Sequence, residues 1–158
     1  MKTYQVSVSR RIDAPLEAVY RVVTDMKEHL GILPKQFETI EVLQGGSGPG
    51  TVFRLKMNVM GVRSSLQMTV TEPEPGRVIR ERDDKAGVTT TWTLEPSGDG
   101  RHCDLHLTTE FTSRPGLAGT VERLFSSPIV RSIYRRELRN IQVYLTTGLP
   151  ARKDTLSS

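Results

Sequence analysis

Apolar residues alternate with polar ones through most of this chain, and a period of two admits little besides β-strands. Residues 51 to 59 set Phe53, Leu55, Met57 and Val59 on one face against Arg54, Lys56 and Asn58 on the other. Val62, Leu66, Met68 and Val70 then share a face with Ser64, and "MG" at 60 and 61 is a tight reversal between the two runs. Residues 77 to 83 form a further strand between the turns "EPEPG" and "DDKAG". Residues 88 to 95 and 102 to 112 flank "PSGDG", a strong hairpin signal. Residues 37 to 43 read as extended and close on the turn "QGGSGPG". Short strands at this spacing describe an antiparallel meander.

The period changes where helices are expected. Tyr4, Val6 and Val8 alternate up to Ile12, but after Pro15 the apolar residues are Leu16, Val19, Tyr20 and Val23, the i, i+3, i+4, i+7 spacing of an amphipathic helix. A second short helix or irregular turn is expected near "MKEHLGILP", ended by Pro34. Residues 117 to 145 are helical again, with a bend or restart where Ser127 caps and Pro128 takes the first helical position. At ~100° per residue, Val130, Ile133, Tyr134, Leu138, Ile141, Tyr144 and Leu145 fill one arc of about 140°. Glu137 is the one charge inside that arc.

At 158 residues the length fits a single domain, read as 1–147, with the polar tail in 148–158 expected to fray. The chain is 36% hydrophobic and 25% charged, an ordinary globular balance with no apolar run near the ~20 residues that span a bilayer. The start "MKTYQVSVSRR" lacks the apolar core of a signal peptide, so a cytoplasmic location is expected. The single cysteine, Cys103, excludes an intrachain disulfide and a CxxC metal clip. A net charge of +4 is too modest to imply nucleic acid unless it is concentrated on one face.

The order strand, short helices, strands, long helix resembles the START-like, or SRPBCC, superfamily, and within it the polyketide cyclase/dehydrase and lipid-transport group. The resemblance rests on "SRRIDAPLEAVYRVVTD", "GPGTVFRL" and "TWTLEPSGDGRHCDLHLTTEF", and it covers residues 3 to 147. Relatives often carry a tryptophan before the proline that follows the first helix, whereas this chain has "GILP". The resemblance implies an α+β helix-grip fold, in which a curved antiparallel sheet wraps a long C-terminal helix and two short helices close one end. It also implies an internal cavity, mostly apolar with a few polar groups. The function expected from that cavity is binding, transport or sensing of a small hydrophobic molecule such as a lipid, quinone, sterol-like compound or polyketide, with no cofactor. A polyketide aromatase/cyclase or dehydratase using the same cavity is the alternative from another class, and an interaction module working through a basic helix face is a third.

Inward parity and helix phase nominate the lining of that cavity: Phe53, Leu55, Met57, Ser64, Leu66, Met68, Thr90, Trp92, Leu105, Leu107, Phe111, Val121, Phe125, Val130, Tyr134, Glu137 and Ile141. Thr109 shares the inward parity. A carboxylate facing an apolar cavity has a raised pKa unless a cation meets it, so Glu137, with Tyr134, is the candidate proton-moving residue. The structural alternative for Glu137 is a salt bridge to Arg80 or Arg82. In "HCDLH", His102, Asp104 and His106 share a strand face with Glu110, a pattern able to bind a transition metal. Cys103, Leu105, Leu107 and Phe111 hold the inward parity, so the histidines face water and no native metal is expected. Cys103 itself reads as a small buried hydrophobe, with no acyl-transfer triad around it. Arg131, Arg135, Arg136 and Arg139 form a basic stripe on the outer helix face. Such a stripe suits an acidic carrier protein or an anionic membrane surface, or is simply the solvated side of the helix.

Overall fold

The computed structural model describes residues 3–112 and 128–152, and in them the alternation becomes strands β1 (Thr3–Ile12), β2 (Phe37–Gln44), β3 (Val52–Val59), β4 (Val62–Glu74), β5 (Val78–Asp83), β6 (Val88–Pro96) and β7 (Cys103–Thr112). Three helices accompany them among the described residues: α1 (Leu16–Thr24), α2 (Met26–Ile32) and α3 (Pro128–Thr147). All strands belong to one antiparallel sheet in the order β1-β7-β6-β5-β4-β3-β2. From β2 to β7 each strand pairs with its successor, as the meander reading expects. β1 breaks the sequence by pairing with β7. Consecutive strands β1 and β2 therefore hold opposite edges of the sheet, and α1 with α2 carries the chain between them. This is why one strand runs directly into a helix and the rest follows as strands.

The sheet curves with help from bulges at Phe37/Thr39 and Val42/Gln44 in β2 and at Thr71/Glu74 in β4. α3 crosses the concave side and packs on β1, α1 and α2. From Pro128 the helix runs as expected and ends two residues beyond Leu145; the expected part from 117 to 127, with Ser127, lies outside the described residues. Its inward arc is the one the periodicity set, with Val130, Ile133, Glu137, Leu138 and Ile141 buried. Polar ties fix its position: Asn140 Nδ2 donates to Ile32 O at 2.9 Å, Tyr144 Oη donates to Glu28 at 2.9 Å, and Gln142 Oε1 accepts from Asp13 N at 2.8 Å.

α2 has too few residues to persist alone in water, so its neighbours hold it. Asp25 caps it, accepting from Lys27 N at 2.9 Å and Glu28 N at 3.3 Å. The glycine-rich turn between β2 and β3 reaches across to the α1–α2 junction, where Met26 N donates to Gly46 O and Gly48 N donates to Thr24 O. Gly45, at φ 72°, can take this path because a Cβ there would sit 3.1 Å from Thr51 Oγ1 and 3.2 Å from its Cα. Of the tail expected to fray, residues 148–152 lie against α2: Ala151 N donates to Gly31 O at 2.9 Å, and Arg152 reaches the carbonyls of Phe37 and Glu38.

The cap gives a direct check on α2. Asp25→Ala removes an acceptor shared by two helix-start amides and is expected to lower the unfolding free energy by ~1 kcal/mol. The shift should appear in the urea midpoint with the slope unchanged. An unmoved midpoint would mean that tertiary contacts alone hold the helix.

Candidate functional site

The concave face of the sheet and the inward arc of α3 do not meet completely, and a cavity of about 60 Å³ remains between them. Of the residues nominated from sequence, the structure brings Phe53, Leu55, Met57, Leu66, Met68, Thr90, Trp92, Leu107, Phe111, Tyr134 and Glu137 to its wall, together with Thr109. Leu105, Val130 and Ile141 are buried elsewhere in the core and do not border it. Ser64 opens instead onto an outer groove with Glu38, Thr39, Lys56 and Arg63. Val121 and Phe125 lie outside the described residues.

Six wall residues escaped the sequence reading: the apolar Leu33, Phe37, Ile40 and Val88, and two polar ones. Glu81, on β5, is 6% exposed, and His29, on α2, is 4% exposed. Both had a signal. Ile79 and Glu81 share one strand parity, and Met26, His29, Leu30 and Leu33 follow helical spacing. Strand alternation puts Arg80 and Arg82 on the other face of β5 from Glu81, and Arg82 pairs there with Asp84 at 2.8 Å. The sheet arginine expected as a structural partner for Glu137 is therefore not the one that meets it. His29 does so instead, with Nε2 3.6 Å from Glu137 Oε1.

The protons in this cluster follow from burial. His29 Nδ1 faces Val22 O at 3.2 Å, and a carbonyl only accepts, so Nδ1 carries the ring proton and Nε2 turns its lone pair to Glu137. Burial lowers the His29 pKa to about 4, so the ring is neutral at neutral pH. Burial, and then the charge of Glu81, raise Glu137 well above the ordinary carboxylate range. The His29–Glu137 contact is thus a neutral acid beside a neutral base rather than an ion pair, since both charges would be desolvated together. Burial also raises Glu81 to about 7, and the Trp92 indole offsets part of that shift by favouring the ionised form. Even so, neither Glu81 Oε1 nor Trp92 Nε1 completes a hydrogen bond. Trp92 also stacks its ring edge-to-face with His29, centroids 5.6 Å apart. Beside the carboxyl groups runs a line of hydroxyls, in which Thr90 and Thr109 bond at 2.9 Å and Tyr134 lies beside Thr109.

Elsewhere the candidates are spent on other partners. His102 lies near Asp13 and Asp99, Asp104 pairs with Arg11, and His106 meets Ser9 and Glu95, all on the outer face. Cys103 is fully buried, and burial pushes its thiol up to about 11, the opposite of activation. Arg131, Arg135, Arg136 and Arg139 are exposed, and Arg131 reaches back to Ser7 O at 3.0 Å.

The sequence profile of the family described as polyketide cyclase/dehydrase and lipid transport matches residues 3–146. The chain belongs to that family. Among solved structures the family fold recurs in the KanY protein, at 25% identity with a TM-score of 0.77, covering 92% of this chain and 99% of that one. It recurs in the Zhui aromatase/cyclase from Streptomyces sp. R1128, at 21% identity with a TM-score of 0.70, covering 93% and 98%. A START superfamily protein from Mycobacterium smegmatis shares 14% identity with a TM-score of 0.70, covering 90% and 99%. No curated protein matches the chain. Family and fold both fit a protein that binds a hydrophobic ligand. Among the described residues no helix is long and apolar enough to cross a membrane.

The buried acids leave a signature in stability. Folded Glu81 holds its proton up to about pH 7, while in the unfolded chain it releases it near 4.5. The folded state binds more protons between these values, so this group's stabilisation is complete below pH 4.5 and is lost as pH rises through 7. Over the full window the loss is about 3 kcal/mol. Glu137 acts in the same direction. His29 opposes both, because its depressed pKa makes stability fall as pH drops from 6.5 towards 4. Melting curves from pH 4.5 to 8 should show the Glu81→Gln protein losing less stability than the parent as pH rises. Parallel curves would place the Glu81 carboxyl in water.

Proposed function

We propose that the chain binds a small, largely apolar molecule inside the sheet, with its polar group at the Glu81–Glu137–His29 end. The observation that supports this reading is the wall itself. Aromatic, aliphatic and methionine side chains from β3, β4, β6 and β7 surround a short polar edge, and among the described residues no activated nucleophile faces the space. The cavity is far below the ~300–1,000 Å³ of typical ligand sites, so binding requires the wall to part. Two partitions are placed for that. Leu33, in "GILP", borders both the cavity and an outer groove of about 690 Å³ beside α3. Met57 borders both the cavity and the groove near Ser64, and methionine repacks at low energetic cost.

A polyketide aromatase/cyclase or dehydratase would use Glu81, Glu137 or Tyr134 to move protons, and a carboxyl with a pKa about 7 has the capacity for it. That chemistry needs a whole folded polyketone chain held beside these groups, a wider parting of the wall than a small apolar molecule requires. The binding reading asks less of the same wall.

Native mass spectrometry of freshly purified protein, with melting curves in decan-1-ol, naphthalene or menadione, tests the proposal. We expect a co-purified apolar mass, or a melting temperature raised by several degrees by at least one probe. Leu107→Phe, which fills the space from β7, should keep the fold and abolish the effect. A bare chain mass with no probe raising the melting temperature would overturn the reading.

A further inference from the structure

We propose that the occupant of the cavity is an apolar alcohol or phenol, whose single hydroxyl lies between Trp92 Nε1 and Glu81 Oε1, accepting from the first and donating to the second. This rests on the binding reading above and specifies its ligand. Trp92 pairs with Ile79 across β6 and β5, and Glu81 pairs with Thr90, so Trp92 and Glu81 are diagonal neighbours on the inward face. They are 1% and 6% exposed, and both border the cavity. Trp92 Nε1 and Glu81 Oε1 are sealed from solvent and complete no hydrogen bond, although the indole N–H lies near enough to the carboxyl to favour its ionised form. Buried donors and acceptors are almost always paired in folded proteins, so an orphan of each kind side by side calls for an explanation.

The chemistry of the missing partner follows from the pair. One atom donates and the other is a carboxyl oxygen. A hydroxyl both accepts and donates, so it satisfies the indole N–H and the carboxyl in either protonation state. A ketone or quinone oxygen only accepts and leaves an ionised Glu81 unpaired. An ammonium suits Glu81 but has nothing to accept from Trp92. A hydrocarbon satisfies neither and leaves both orphans in place. Of the other polar wall groups, His29 faces Val22 and Glu137, Thr90 and Thr109 bond each other, and Tyr134 lies beside Thr109.

Four probes of one shape test this: cyclohexanol, cyclohexane, cyclohexanone and cyclohexylamine. Trp92 is the single tryptophan of the chain, so its fluorescence reports from the site itself, and calorimetry supplies affinities for the variants. At pH 8, where Glu81 is largely ionised, cyclohexanol should bind at least ~10-fold more tightly than the other three, the effect of about one well-made hydrogen bond. Trp92→Phe keeps a ring and removes the N–H, so the preference over cyclohexane should shrink several-fold. Glu81→Gln exchanges an ionised acceptor for a neutral one and should weaken cyclohexanol several-fold while leaving cyclohexane unchanged. Equal binding of cyclohexanol and cyclohexane, tightest binding of the ketone or amine, or a preference that survives in both variants would overturn the hydroxyl assignment and leave the binding reading standing. If none of the four binds and decan-1-ol does not either, while naphthalene or menadione does, the hydroxyl assignment alone falls. If no probe of either set binds, both fall together.

Discussion

The structure depends on one crossing. Because β1 pairs with β7 at one edge while β2 forms the other, the chain between them must traverse the width of the sheet. Only 24 residues separate Ile12 from Phe37, and they make the crossing as two short helices. Those helices need something to lean on. α3 supplies it through Asn140 and Tyr144, and the β2–β3 turn supplies it through Gly46 and Gly48. Once α2 is held there, His29 is carried inward and the cavity is closed at one end.

Closing the cavity sets the second constraint. Glu81 and Glu137 are brought into one small, dry space, and among the described residues the basic side chain that meets Glu137 is an imidazole whose own burial keeps it neutral. Two carboxylates this close cannot both ionise cheaply, so the cluster holds protons at a pH where exposed acids have lost theirs. A core filled with leucine would be more stable. The surrounding apolar wall carries that burden, and the carboxyl groups are the expected place for ligand selectivity.

Much of this architecture was legible in the residues. Alternation assigned the inward side chains of β3, β4, β6 and β7, because strand parity is a local property that sheet pairing preserves. The helical phase that put Glu137 inside the apolar arc was equally local, and the arc is buried as read. Glu81 and His29 were overlooked although parity and spacing marked both. Ser64 was misplaced for a different reason. Parity tells which face a residue occupies but not where along the strand the cavity ends, and Ser64 borders an outer groove instead.

The sequence by itself determined the elements, their inward faces and the family, since each is encoded in short-range pattern. It could not determine that Glu81, Glu137 and His29 converge, because they come from β5, α3 and α2, and no periodicity relates one element to another. Nor could it decide the volume of the cavity or the protonation of its acids. Both depend on how closely the helix settles into the curved sheet, and that distance is set by packing between residues far apart in the chain.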